Sequence, residues 1–272
     1  RWRVAIEGTG GHSYLDYGMV PSAIHAMGTS FSELLLGRVT AVITGGVEAT
    51  VTPLGVAGFT ALKALSTQHN DEPTKASRPF DANRDGFVIG EGAGLLLLET
   101  LESAQARGAK IYAEMVGYGA SGDAYHMTAG PEDGDGAKRA MQAAIRQAGI
   151  SASEIQHLNA HATSTPVGDK GELAAIKAVF GTENRIAVTS TKSATGHLLG
   201  AAGGIEAIFT ALALRDQIAP ATRNFEQPDP FAEGVDIVHG AARKMPIEYA
   251  ISNGFGFGGV NASVLFKRWL TN

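Results

Sequence analysis

Two histidines, His161 and His197, lie in segments whose residue types and spacing could support catalysis. His161 stands in Asn159-Ala-His-Ala-Thr-Ser-Thr-Pro-Val-Gly-Asp169, and His197 stands in Thr191-Lys-Ser-Ala-Thr-Gly-His-Leu-Leu-Gly-Ala-Ala-Gly203. Each imidazole follows a short apolar strand pattern and is surrounded by small residues, which let a substrate approach the backbone closely. Two neutral imidazoles could donate hydrogen bonds to an oxygen that gains negative charge during a reaction.

A third segment, Asn253-Gly-Phe-Gly-Phe-Gly-Gly-Val-Asn261, completes the set. Its glycines formally match a dinucleotide-binding fingerprint, but that motif needs a following helix, a second strand and an acidic residue about 20 positions on. The residues up to Asn272 leave no room for these features. We interpret the segment as a glycine turn that presents backbone N–H groups, with Phe255 and Phe257 as packing or gating groups.

The sequence contains no cysteine among its 272 residues. Chemistry that uses two such histidines on an acyl thioester normally requires a thiolate nucleophile, so the nucleophile of this set is missing. Disulfides are excluded by the same count. A zinc site is weakly indicated at most, because the sequence has neither a cysteine ligand nor an HExxH motif. We therefore expect no metal.

The elements that must position these segments can be read from the spacing of apolar residues. The pattern predicts helices over 23–36, 99–106, 136–147, 169–180 and 199–214, and strands over 39–43, 95–98, 111–116, 155–160, 186–189, 249–252 and 262–266. Residues 225–233 are expected to form a loop. Strands and helices alternate, which is typical of α/β layers around a mostly buried sheet.

The composition fits a globular protein with a large core, since 44% of the residues are hydrophobic and 18% are charged. A net charge of −5 argues against general affinity for nucleic acid. The sequence has no run of 18 apolar residues, so no membrane span is expected. A cytoplasmic location is the default expectation.

One further motif, Asp81-Ala-Asn-Arg-Asp-Gly86, has the spacing of the start of a calcium-binding loop. Such a loop needs a bidentate glutamate at its twelfth position, which here is Gly92, with Glu91 one residue short. We therefore expect a structural turn that is stabilised by internal hydrogen bonds to a carboxylate.

Taken together, these segments resemble the type II β-ketoacyl-acyl-carrier-protein synthases. The resemblance runs from about Ala23 to Trp269. It includes Gly45-Gly-Val-Glu48, Thr52-Pro-Leu-Gly-Val56, Ala64-Leu-Ser-Thr67, Ser77-Arg-Pro-Phe-Asp81, Arg84-Asp-Gly-Phe-Val-Ile-Gly-Glu-Gly-Ala-Gly94 and Asp123-Ala-Tyr-His-Met-Thr128. It implies an α/β protein with the thiolase-like layered αβαβα fold, incomplete at the N-terminal half.

The resemblance also implies roles for residues around the two histidines. His161 and His197 would be the catalytic pair, and Lys192 and Glu206 would support them. Phe255 would be the gating aromatic residue whose backbone N–H helps to form the oxyanion hole. The implied activity is that of an acyltransferase, a 3-oxoacyl-acyl-carrier-protein synthase of fatty acid biosynthesis that carries out a decarboxylative Claisen condensation.

The implied substrates are acyl and malonyl thioesters, and the implied partner is an acidic acyl carrier protein. Thr163 and Thr165 would bind the pantetheine arm, and Phe59 would line the acyl pocket. No bound cofactor is expected, because the carrier protein supplies the phosphopantetheine. A homodimer is expected, and Lys63 is a candidate contact for the carrier protein.

Two departures from the family pattern concern the start of the chain. Gapless counting back from Gly45 and Gly46 puts the nucleophile position on Val20, with Met19 and Pro21 on either side. Roughly the first third of a family chain has no counterpart. We expect residues 1–22 to be unassigned, 23–130 to be a remnant of the N-terminal half and 131–272 to form the C-terminal half.

Two readings follow from these departures. In one, the sequence is a truncated or misread chain of an ordinary synthase. In the other, it is a degenerate, non-catalytic subunit that resembles a chain length factor and pairs with a complete synthase. The presence of His161, His197 and Lys192 argues against a subunit that lost its catalytic function long ago.

Overall fold

The structure is a computed structural model that describes residues 2–5, 12–15, 22–183 and 186–270. In chain order the described elements are β1 (Trp2–Ala5), β2 (His12–Leu15), α1 (Ser22–Leu35), β3 (Ala41–Glu48), α2 (Pro53–Ala61), β4 (Gly92–Glu99), α3 (Leu101–Ala106), β5 (Ala113–Gly122), α4 (Asp135–Ala148), β6 (His157–Asn159), α5 (Pro166–Phe180), β7 (Ala187–Thr189), α6 (Lys192–Thr195), α7 (Ala202–Asp216), β8 (Ile218–Ala219), β9 (Arg243–Lys244), β10 (Tyr249–Gly256) and β11 (Val260–Arg268). Short 3₁₀ turns lie at Pro73–Lys75, Ala152–Glu154, Leu199–Ala201 and Pro230–Ala232.

A mixed five-stranded sheet with the order β5-β11-β10-β6-β7 forms the centre of the molecule. β10 runs parallel to β6, and β6 runs parallel to β7, whereas β11 is antiparallel to both β10 and β5. β1 and β2 form a separate antiparallel pair. Because β6 and β7 are parallel and adjacent, the loops that follow their carboxyl ends come to the same edge of the sheet.

Helices cover both faces of this sheet. On one face, Met141 of α4 and Leu173 of α5 share a buried cluster with Leu158 of β6. On the other face, Ile24 of α1 and Leu214 of α7 share a second cluster with strand residues. The central strands are therefore buried on both sides, which is typical of sheets with parallel strands at their centre.

A fourth layer, the antiparallel pair β3–β4, packs against the other side of α1 and α7. Glycines allow this close approach: a Cβ on Gly94 would lie 2.3 Å from the backbone nitrogen of Ile205, and one on Gly46 would lie 2.3 Å from the carbonyl oxygen of Gly200. The layers follow the order helix, sheet, helix, sheet. This confirms the expected thiolase-like layered α/β fold.

The β3–β4 pair presents apolar side chains to solvent. Ile43 is 75% exposed, Val47 67%, Leu95 56% and Leu97 50%. Exposed apolar faces of this kind mark surfaces that pair with other polypeptide.

Several predicted elements differ from the structure in extent. The helix expected over 199–214 is a 3₁₀ turn followed by α7, because Leu199 adopts a positive φ of 45° that an α-helix does not allow. The helix α2 was not predicted from spacing, since its apolar residues have no helical period. Thr52 caps α2 by accepting the N–H of Gly55, and Pro53 occupies its first turn. Within the described residues, none of the helices is both long and apolar enough to cross a membrane.

Candidate active site

The structure brings six of the predicted site residues to the wall of one cavity of about 370 Å³. They are the two histidines, the two threonines and the two phenylalanines: His161, His197, Thr163, Thr165, Phe59 and Phe255. Lys63 also lines this cavity. Val20, the predicted nucleophile position, lies outside the described residues.

The backbone at His161 is fixed by a carboxylate that sequence reasoning missed. The N–H groups of His161 and Ala162 donate to the two carboxylate oxygens of Glu172, at 2.9 and 2.6 Å. The Asn253 side chain also donates to Glu172 at 3.1 Å, and Ser263 in turn donates to Asn253 at 2.7 Å. Burial raises the pKa of Glu172 to about 7, against the effect of these donors. α5 and β10 therefore set the position of His161 together.

His197 is held by the chain on either side of it. Gly196 has a positive φ of 70°, and a Cβ there would lie 2.9 Å from the carbonyl oxygen of Val88. The N–H of His197 donates to that same carbonyl at 2.7 Å. The N–H of Leu199 donates to Nδ1 of His197 at 3.3 Å. Because Nδ1 accepts a hydrogen bond, the neutral ring carries its proton on Nε2, which makes Nε2 a donor.

The two imidazoles lie edge to face, with ring centroids 5.3 Å apart and planes at 83°. The centroid of the Phe255 ring lies 5.7 Å from that of His161, and the centroid of the Phe87 ring lies 5.4 Å from that of His197. Burial lowers the pKa of both histidines well below the usual value, and the Lys192 ammonium lowers it further. Both rings are therefore neutral hydrogen-bond donors at physiological pH.

Lys192 and Glu206, the two residues that the resemblance implies as support for the histidines, form a buried ion pair. The ammonium of Lys192 contacts Oε1 of Glu206, and both side chains are 1% exposed. Burial raises the pKa of the Glu206 carboxyl, and the neighbouring Lys192 opposes that shift. The pair does not line the cavity, so its influence on the site is electrostatic and structural.

Thr163 and Thr165 line the cavity on either side of a strained turn residue, Ser164. Ser164 between them has a positive φ of 72°, and the two threonine hydroxyls lie 3.1 Å apart. Phe59 of α2 packs edge to face on Phe87 at 5.3 Å and extends the apolar wall next to His197. The cavity lining therefore combines threonine hydroxyls with aromatic side chains.

The segment with the spacing of a calcium loop is a structural turn, as predicted. The buried Asp81 carboxylate accepts N–H groups from Asn83, Glu226 and Gln227 at 2.7 to 2.9 Å and pairs with Arg78 at 3.0 Å. Across the part of the chain that the structure describes, no group of three or more His, Cys, Asp or Glu side chains is placed to hold a metal ion.

Two family models match this sequence. "Beta-ketoacyl synthase, N-terminal domain" matches residues 18–104, and "Beta-ketoacyl synthase, C-terminal domain" matches residues 112–226. Among curated relatives, the 3-oxoacyl-[acyl-carrier-protein] synthase 2 of Rhizobium meliloti (strain 1021) is 55% identical over 246 residues. That alignment covers 90% of this chain and 58% of the relative.

Solved structures that contain ketosynthases have the same fold as this chain. A type II PKS acyl-carrier protein in complex with its ketosynthase bound to the hexaketide matches with a TM-score of 0.91 and 36% identity, over 95% of this chain and 64% of that chain. The ishigamide ketosynthase/chain length factor matches with a TM-score of 0.85 and 35% identity, over 92% of this chain and 59% of that chain. The chain thus spans about three fifths of the length of the proteins it matches. On the two family models, the sequence identity and the fold, the chain belongs to the β-ketoacyl synthase family.

Proposed function

We propose that this chain forms the two-histidine part of the active site of a 3-oxoacyl-acyl-carrier-protein synthase, an acyltransferase of fatty acid biosynthesis. The observation that carries the proposal is the pair of neutral imidazoles, 5.3 Å apart, on the wall of a largely apolar cavity. The name of the relative that is 55% identical supports the same activity.

In the proposed reaction, the malonyl thioester oxygen accepts hydrogen bonds from His161 and His197. The bond between C2 and the carboxylate carbon breaks, its electron pair moves into the enolate, and carbon dioxide leaves. Neutral donors suit this step because they stabilise the charge that builds on the thioester oxygen. The aromatic wall formed by Phe59, Phe87 and Phe255 excludes water and favours release of a neutral product.

Condensation then joins the enolate carbon to the carbonyl carbon of an acyl thioester. A tetrahedral oxyanion forms, the new carbon–carbon bond remains, and the thiolate leaves as the oxyanion collapses. The backbone N–H of Phe255 would stabilise that oxyanion. The acyl group would be held by a cysteine thiolate, and this sequence contains no cysteine to supply it.

The substrate arm would lie along the threonine hydroxyls of the cavity lining. Thr163 and Thr165 would bind the pantetheine amides, Phe59 would contact the acyl chain, and Lys63 would meet the acidic carrier protein at the cavity mouth. The phosphopantetheine would arrive on the carrier protein, so the chain itself would bind no cofactor. The complex of a ketosynthase with an acyl-carrier protein among the matching structures supports this partner.

We also propose that the protein functions as a homodimer. The exposed Ile43, Val47, Leu95 and Leu97 supply an apolar surface that favours pairing. Light scattering should then give dimers or larger species, and a stable monomer at micromolar concentration would contradict the proposal.

One observation favours a second candidate function. Because the sequence has no cysteine, the chain could act as a non-catalytic partner of a complete synthase, as the name ketosynthase/chain length factor suggests for a matching structure. The intact histidine pair favours the catalytic proposal.

Release of labelled carbon dioxide from malonyl-acyl carrier protein tests the proposed function. The protein should release carbon dioxide, and His197→Ala should release it about 100-fold more slowly. Release that does not exceed the rate of His197→Ala would overturn the catalytic proposal in favour of the non-catalytic partner.

A further inference from the structure

Arg84 lies in the Asp81–Gly86 turn, which the proposed chemistry does not use. We propose that Arg84 is a positioning residue for the substrate arm, because its guanidinium fixes the turn that carries Thr163 and Thr165. This inference rests on the proposed function and deepens it, since it assigns the geometry of the arm-binding wall to a side chain outside the cavity.

The contacts of Arg84 converge on the backbone that follows the threonine turn. Nε donates to the carbonyl of Thr165 at 3.1 Å, and Nη2 donates to the carbonyl of Pro166 at 2.9 Å. Nη1 donates to the carbonyl of Asp81 at 2.9 Å and also pairs with the Asp229 carboxylate. A planar guanidinium offers donors in a rigid fork, so the contacts with Asp81 and Asp229 orient the fork while its other two donors hold the carbonyls of Thr165 and Pro166.

The turn needs such support because its backbone is strained. Ser164 has a φ of 72°, a left-handed conformation that L-residues with a side chain rarely adopt. Its N–H donates to Asp169 at 3.1 Å, and its carbonyl accepts the N–H of Gly86 at 3.1 Å. Its hydroxyl accepts the backbone N–H of Arg78 at 3.0 Å. These bonds hold Ser164 itself. Arg84 holds the two carbonyls that come next, and the N–H of Asp169 also donates to the Thr165 carbonyl at 3.2 Å.

The strained turn brings both threonine hydroxyls together at the cavity lining. The hydroxyl oxygens of Thr163 and Thr165 lie 3.1 Å apart, and both residues line the cavity. Gly168 makes room for them, because a Cβ there would lie 2.5 Å from the hydroxyl oxygen of Thr165. Hydroxyls both donate and accept, so the pair matches the amide groups of a pantetheine arm. A rotation of the Thr165 or Pro166 carbonyl would turn this pair away from the cavity.

The charge of Arg84 is already balanced, which argues against direct binding of a phosphate. Its side chain is 4% exposed and lies next to the carboxylates of Asp169, at 3.5 Å, and Asp229. A buried guanidinium with these partners acts through the backbone that it holds.

A pair of binding probes tests the inference on the full chain. Octanoyl-pantetheine carries both amide groups of the arm, whereas the S-ethyl thioester of octanoic acid carries neither. Because the chain has no cysteine, both thioesters bind without transferring their acyl group to a thiol. The ratio of the two dissociation constants, measured by calorimetry, reports the contribution of the arm alone.

Arg84→Lys should reduce the preference for octanoyl-pantetheine about tenfold and leave the affinity for the S-ethyl thioester unchanged, because a lysine keeps the charge and loses the fork. Arg243→Lys is the matched control: the Arg243 guanidinium is likewise paired with a carboxylate, that of Asp236, but Arg243 neither lines the cavity nor contacts the turn. The control should leave the ratio unchanged. A general loss of packing would weaken the binding of both probes together and leave the ratio of their dissociation constants unchanged.

An unchanged ratio in Arg84→Lys would overturn the inference and leave the proposed function standing. A wild-type chain with no preference for octanoyl-pantetheine would overturn both. Thermal unfolding shows whether Arg84→Lys is folded. If it is not, Asp229→Asn, which removes a carboxylate partner of the guanidinium, should lower the ratio in the same direction, and an unchanged ratio there overturns the inference.

Discussion

The carboxylate of Glu172 accepts the backbone N–H of His161 at 2.9 Å and that of Ala162 at 2.6 Å, so one side chain holds two consecutive residues of the candidate site. Glutamine has a single acceptor oxygen, and its NH₂ group would face one of the two N–H groups. Glu172→Gln should therefore leave a buried donor unpaired, at a cost of about 1–3 kcal/mol in the free energy of unfolding.

The same substitution should displace His161, so we expect at least a tenfold loss in the rate of malonyl decarboxylation, as small misplacements of catalytic groups cost this much or more. The rate and the thermal unfolding of the variant are the measurements. Glu132→Gln is the control, because Glu132 is an exposed glutamate paired with Lys170. Wild-type activity in Glu172→Gln would contradict this role for the carboxylate.

The local sequence singled out His161 and His197, whereas their grouping with Lys192 and Glu206 came from the family resemblance. Small residues around His161 and His197 mark loops that a substrate can approach. The contacts of Glu172 could not be predicted, since they depend on how α5 packs next to β10. A weak signal existed, because Asp169 and Glu172 interrupt the apolar face of α5 formed by Leu173 and Ile176.

Element boundaries were predicted less well than element types. The strand expected over 249–252 continues to Gly256, because β11 supplies backbone partners as far as Val260 even where the sequence is rich in glycine. Pairing with a neighbouring strand overrode the low strand propensity of glycine.

His161→Ala and His197→Ala should each cost far more activity than stability. Both rings lie at the cavity wall, and their ring contacts are with each other and with Phe255 and Phe87. We expect a loss of about 100-fold or more in rate, as for other groups that stabilise developing charge. The change in unfolding free energy should stay near 1 kcal/mol.

His157→Ala is the comparison for these two variants, because His157 is buried in β6 and does not line the cavity. It should show the reverse pattern, with a larger loss of stability than of rate. Parallel losses of rate and melting temperature in His161→Ala and His197→Ala would favour a structural role for both histidines.

Because of His157, the stability of the folded protein should decrease as the pH falls below 6.5. Burial lowers the pKa of its imidazole to about 4 from the ordinary 6.5, so between these values the folded state binds fewer protons than the unfolded state. Its contribution is complete above pH 6.5 and is lost as pH falls towards 4. The expected loss is about 3 kcal/mol over that range.

His157→Gln removes this titration, so the difference in unfolding free energy between pH 7 and pH 4.5 should be smaller in the variant. Chemical denaturation at both pH values is the measurement. Carboxyl groups whose pKa is raised, such as Glu172, change stability in the opposite direction, but they are present in both proteins and cancel in the comparison. An equal pH dependence in the wild-type protein and in His157→Gln would refute the assignment to His157.

Lys63 should contribute to carrier-protein binding through charge. It is exposed and lines the cavity, so an acidic partner that delivers a substrate to the cavity could approach it. Lys63→Glu should weaken binding several-fold at low ionic strength, and the difference from wild type should shrink as salt screens the interaction. Lys110→Glu makes the same charge change at an exposed lysine away from this cavity and should have a smaller effect. Binding that does not respond to salt, or is equal in the two variants, would remove Lys63 from the interface.

The last prediction separates the two halves of the chemistry. Decarboxylation needs hydrogen-bond donors and a dry cavity, whereas acyl transfer needs a thiolate, which this sequence lacks. The protein should therefore release carbon dioxide from malonyl-carrier protein and form no condensation product. Position 20 lies outside the described residues, and gapless counting back from Gly45 and Gly46 puts the family's nucleophile there. A thiol at that position would supply the component that acyl transfer requires.

Val20→Cys should accordingly become acylated by an acyl thioester and support condensation, as measured by mass spectrometry of the intact protein and of the acyl products. Val51→Cys introduces the same thiol at a half-exposed valine elsewhere and should remain unacylated under the same conditions. Condensation by the unmodified, cysteine-free chain would overturn this account of the mechanism. An unacylated Val20→Cys protein would show instead that the nucleophile position aligns with a different residue.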